Sequence, residues 1–190
     1  MMASRSPARW RPRLSGPVCA SVLAIALCAC DPHYNWREYR SQNHGIPDAP
    51  YVVLFPAKPS THARDVRLGD GLGDVAVHMT MTAAEVDGVV FAVGSAQLPD
   101  GAPAPAALQA MATALARNIG GAITSQAVAG SGAQTTLSVE ATGVRNGEPT
   151  RLTGRFIARA RHVYQVVVIG PARHVAPEQV ETFLASFKPT

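Results

Sequence analysis

Asn146-Gly147 constrains this chain more than any other feature. The pair suits the positive φ values of a two-residue hairpin turn, whose twist matches that of the flanking strands. With it at the tip, Ala141 faces Leu152, Val139 faces Gly154 and Leu137 faces Phe156, all apolar or small. The opposite side pairs Thr142 with Arg151, Glu140 with Thr153 and Ser138 with Arg155. Side chains alternate along a strand, so a one-residue slip would mix the two sets. An antiparallel hairpin over residues 134–160, with one buried and one solvated side, is the expectation.

The rest of the pattern fits around that hairpin. Residues 51–55 form a short apolar strand stopped by Pro56, and residues 65–68 suggest another. Val75, Val77, Met79 and Met81 alternate with more polar neighbours, the mark of a half-buried strand. Asp87-Gly88 signals a second hairpin turn. Residues 89–98 and 163–169 are apolar on both sides and read as central strands. A strand is expected near residues 123–128.

Leu108, Met111, Ala112, Leu115 and Ile119 share one side of a helix that Gly120-Gly121 ends. A second helix starts at Pro177 with Val180, Phe183, Leu184 and Phe187 as its apolar stripe, and Lys188 at its cation-favouring end. The fold class is α+β, a mostly antiparallel sheet with two principal helices in a single domain over residues 51–190. Residues 30–50 are polar with interspersed aromatics. They read as a tether of about 20 residues. Trp36 and Tyr39 in it either rest at a membrane interface or dock on the domain as a lead-in strand, the latter favoured.

All three cysteines, Cys19, Cys28 and Cys30, lie before that domain. Residues 1–13 carry Arg5, Arg9, Arg11 and Arg13 and no acid, and the apolar run of residues 18–30 follows. A basic start, a short apolar stretch and small residues at its end make a secretory signal. The rival is a membrane span, but spanning takes about 20 apolar residues. This run has 13 and meets Asp31-Pro32, so a span is open only if residues 14–17 are included, and the signal reading is favoured. Leu27-Cys28-Ala29-Cys30 resembles the bacterial lipoprotein cleavage motif, with Cys28 a less usual residue in its place. The resemblance implies a signal over residues 1–29, a diacylglyceryl group on Cys30, and acylation of the new amine. Cys30 is then the mature chain's one thiol, otherwise a free or intermolecular one, and the domain holds without a disulfide. Each buried acyl methylene adds about 0.8 kcal/mol, so two or three chains anchor firmly. Asp31 resembles an inner-membrane retention signal of enteric bacteria, which leaves the choice of membrane open.

Charge follows the same division. The chain has 17 Lys+Arg against 13 Asp+Glu. Without the four arginines of the leader the two are equal. The basic excess belongs to export, and nucleic-acid binding is excluded on that ground.

The element order resembles the Mog1/PsbP-like group. The stretches that carry the likeness are YVVLFPAKP (51–59), VHMTMTAAEVDGVVFAVGSAQLP (77–99), RNIGG (117–121) and VYQVVVIGP with VETFLASFKP (163–171, 180–189). The resemblance covers roughly residues 50–190 and implies binding and assembly roles. No residues here match the ion sites of the photosystem members.

The six histidines, His33, His44, His62, His78, His162 and His174, form neither HxxxH nor HExxH, and there is no CxxC. No GxSxG is present. GDGLGD (69–74) and GSG (130–132) fit neither a phosphate loop nor a calcium loop. No catalytic residue, metal ligand or cofactor is assigned. Arg151, Arg155, Arg159 and Arg161 share strand parity. They are either a face for anionic headgroups or an acidic partner, or an ordinary solvated face beside Glu140, the latter favoured. The expected function is a lipid-anchored, periplasm-facing envelope protein whose domain binds an unidentified protein or small ligand without catalysis. The alternatives are an enzyme whose site assembles only in three dimensions, and a purely structural envelope component.

Overall fold

The computed structural model describes residues 33–41, 49–68, 75–130 and 133–190. Residues 1–29, read above as a signal, Cys30 and Asp31, the GDGLGD segment and the end of GSG lie outside the described residues. Ten strands and two helices follow in the order β1 (Arg37–Arg40), β2 (Tyr51–Phe55), β3 (Ser60–Leu68), β4 (Val75–Val86), β5 (Val89–Gln97), α1 (Ala104–Asn118), β6 (Gly121–Ala129), β7 (Gln134–Arg145), β8 (Glu148–Arg159), β9 (His162–Pro171), α2 (Pro177–Ser186) and β10 (Lys188–Pro189). Seven strands form one sheet in the order β3-β4-β5-β9-β8-β7-β6. Every neighbouring pair in it is antiparallel. The α+β class with a mostly antiparallel sheet and two helices is thus what the chain adopts.

The large sheet is packed on both sides, which is why β5 and β9 carry apolar residues on both faces, with Ser95 and Gln165 buried among them. Ala92 and Ala96 of β5 and Val163 and Val167 of β9 face α1. Their alternates Phe91, Val93, Tyr164, Val166 and Val168 face a second core with α2. The α1 side uses short side chains, Ala107, Ala112 and Ala116 on the helix against Ala92, Ala96 and Ala158 on the strands. The α2 side is aromatic. Phe183 lies 5.5 Å, centroid to centroid, from both Phe55 and Phe91.

A second sheet, β1-β2-β10, closes the aromatic side. Trp36 and Tyr39 dock as the lead-in strand, with Trp36 edge-on to Phe91 at 5.9 Å and Tyr39 edge-on to Phe55 at 5.7 Å. The chain is therefore ordered from His33 through Ser41, inside the stretch read as a tether. Lys188 does not end α2. Phe187 leaves the helix in an extended conformation and Lys188 pairs with Val52.

The hairpin register matches expectation at all six pairs named above. Asn146 and Gly147 have φ of 53° and 80°, as that turn requires. The strand read at residues 65–68 begins at Ser60, because an edge strand exposed on both sides shows no alternation. His62, Arg64, Asp65 and Arg67 charge that edge and discourage pairing with another chain. The opposite edge, β6, has no charge. A bulge between Ile123 and Ser125 breaks its regularity instead.

β8 stops at Arg159, and Ala160-Arg161 is a turn with Ala160 at φ 52°. An L-residue there carries strain that glycine lacks. Ala160→Gly is expected to raise stability by a few tenths to about 1 kcal/mol. Urea unfolding followed by intrinsic fluorescence checks it, and a loss of stability counts against the turn.

Candidate functional site

Where α2 leaves the sheet uncovered, a groove opens. α2 packs on β2, β8 and β9, and the same side of β6 and β7 stays bare. The resulting cavity is about 390 Å³. Its floor is built from cross-strand rows. Ala127, Ser138 and Arg155 form one row, and Ser125, Glu140 and Thr153 the next. Arg151, opposite Thr142, lies beyond them. Val175, Pro177, Val180 and Leu184 supply an apolar wall, with Glu181 beside them.

The four arginines separate by role. Arg155 Nη1 donates to the Leu184 carbonyl at 3.1 Å, and its Nη2 lies 3.6 Å from Glu181 Oε2. A cation at a helix C-terminus meets the negative end of the dipole, so Arg155 fastens the last turn of α2. Arg159 Nη1 donates to the Pro189 carbonyl at 3.1 Å and holds β10. Arg161 is off the strand. Its Nε donates to the Leu98 carbonyl at 3.1 Å and its Nη1 lies 2.8 Å from Asp100 Oδ1. The four do not form one stripe. Of the four arginines, Arg151 alone has no side-chain hydrogen bond or ion pair among the described residues, and it lines the groove together with Glu140.

Sequence reasoning found Arg151 and Arg155 but missed the rest of the site. Ser125, Ala127, Val180 and Glu181 come from elements distant in sequence. The available signal was GAITSQAVA in β6, whose small side chains beside the polar side of the hairpin leave a depression.

The titratable groups elsewhere have other roles. His78 Nδ1 lies 2.8 Å from Asp65 Oδ1 across β3 and β4, on the surface. His33 Nε2 contacts Asp87 Oδ2, and His174 Nδ1 lies 2.9 Å from the Asp87 carbonyl. Burial raises the Tyr164 hydroxyl above its ordinary pKa, with Arg159 partly opposing. It donates to the Pro50 carbonyl at 3.3 Å and acts as a neutral pin. Burial and then the Asp87 charge raise Tyr34. Among the described residues no three His, Cys, Asp or Glu gather as metal ligands. No described helix is long and apolar enough to cross a membrane.

No family model and no curated protein matches the chain. Among solved structures, the chain is similar to PA94 of Pseudomonas aeruginosa, a protein of unknown function. The identity is 11%, with 72% of this chain and 85% of that one covered, and the TM-score is 0.34. Likeness at that level leaves the fold family open.

Proposed function

We propose that this chain is a lipid-anchored bacterial envelope protein, with a domain of the Mog1/PsbP-like kind that binds a partner or ligand in the groove and performs no reaction. The observation that carries the binding reading is an open groove in which Arg155 and Glu181 pair with each other while the Arg151 guanidinium and the Glu140 carboxylate stand without an ion pair among the described residues. A guanidinium, the Glu140 carboxylate, the hydroxyls of Ser125, Ser138 and Thr153, and an apolar wall suit a body with an apolar side and a polar side that offers an acidic group to Arg151 and a donor to Glu140. The Leu27-Cys28-Ala29-Cys30 motif and the confinement of all three cysteines to residues 19–30 support the anchor. The order of strands around two helices supports the family reading.

Two experiments test it. A photo-reactive side chain at Thr153 in cells of the native host is expected to capture a discrete partner or ligand. Arg151→Glu should reduce that capture about tenfold or more, as loss of a charge-assisted pair predicts. Arg64→Glu, on the far edge strand, should leave capture unchanged; equal effects of the two charge reversals would remove the groove as the site. For the anchor, detergent-phase partitioning of the wild type should be lost in Cys30→Ser.

A further inference from the structure

The chain is pinned from the third residue beyond Cys30. His33 contacts Asp87, Tyr34 and Trp36 pack edge-on to Phe91, and Asn35 N–H donates to the Pro56 carbonyl at 2.8 Å. Three Cα steps from Cys30 to His33 span at most about 11 Å. A free tether of about 20 residues would instead let the domain wander some 25 Å in root-mean-square terms. The headgroup layer on one side of a bilayer is about 5–8 Å thick. An acyl group on Cys30 therefore holds His33 within about 11 Å of the lipidated residue, and so close to the headgroups.

His33 marks one particular end of the sheet. The Asp87-Gly88 turn is there, because Val90 pairs with Ile169 and Ile169 with Leu152. The Asn146-Gly147 turn, Arg145 and Arg173 are at the same end, since Arg145 pairs with Glu148, Thr150 with Pro171, and Arg173 Nη1 lies 2.7 Å from Glu148 Oε1. The Ala160-Arg161 turn and Asp100 are at the other, about 35–40 Å away along β8.

We propose that the bilayer headgroup layer is the docking partner of the Asp87–Asn146–Arg173 end, so that the domain sits on the membrane in one orientation. This seat rests on the proposed Cys30 anchor. It rests on chain reach rather than on charge, because Asp87 and Glu148 stand beside Arg145 and Arg173 at that end.

The test uses the full chain purified from host membranes and reconstituted in phosphatidylcholine vesicles with nitroxide-labelled headgroups. Acylation blocks the Cys30 sulfur, so one introduced cysteine can carry a fluorophore. Arg145→Cys should be quenched at least threefold more than Asp100→Cys, with or without added anionic lipid. A fifteen-residue Gly/Ser insertion between Pro32 and His33 should erase that difference. Equal quenching at the two positions in vesicle-bound, uninserted protein overturns the seat while leaving the anchor intact. Failure to sediment with the vesicles overturns the anchor, and the seat with it.

Discussion

Phe183→Ala is expected to destabilise the domain by about 3–5 kcal/mol. Phe183 is fully buried and its ring meets Phe55 of the small sheet and Phe91 of the large one. It is the side chain through which α2 joins both sheets. Truncation removes apolar burial and leaves a cavity whose neighbours are rings held by other contacts, since Phe91 also carries Tyr34 and Trp36. For a domain of this size the melting temperature should fall roughly 10 °C or more. Phe183→Leu keeps most of the volume and should cost less than half as much. Thermal and urea unfolding read by near-ultraviolet circular dichroism would measure both. A loss below 1 kcal/mol for alanine would show that α2 is not held in this way.

Gly121→Ala is expected to cost about 3 kcal/mol or more, above the usual range for one added methyl group. A Cβ on Gly121 would stand 1.9 Å from the Thr142 carbonyl oxygen and 2.6 Å from Gly143 Cα. Gly143 is its register partner, and a Cβ there would meet the Ile119 carbonyl at 2.3 Å. The paired glycines let the end of α1 lie directly on the backbone of β7. The obstacle is backbone, which cannot rotate away as a side chain can. Thr142→Ala should therefore not rescue Gly121→Ala, and amide exchange along β6 should rise first. Full rescue by Thr142→Ala, or an unchanged midpoint, would refute the close approach.

The legible parts of the fold were those where local chemistry and burial agree. Asn146-Gly147 set the hairpin register, and two-sided apolarity marked β5 and β9 as central. The small sheet was hidden because β10 has two residues and β1 reads REYR, so neither shows a period. Its pairing is decided by the aromatic core it covers. The arginine pattern misled at Arg161 because parity continues in the sequence past the point where the strand ends. No glycine or asparagine flags that turn, and Ala160 takes the positive φ instead. Gly120-Gly121 was legible as a helix stop, but the contact of Gly121 with β7 depends on register far along the chain. The groove was the least legible feature. It exists because α2 stops short of β6 and β7, and no residue encodes where a neighbour is missing.

The place of β2 between β1 and β10 has a consequence for how the molecule matures. Residues 51–55 find one partner within the first forty residues and the other only at residues 188–189. A chain made from its N-terminus must be nearly complete before that strand can be flanked on both sides. Until then the aromatic layer stays unsealed, which leaves the unfinished chain exposed to any protease or chaperone that meets it.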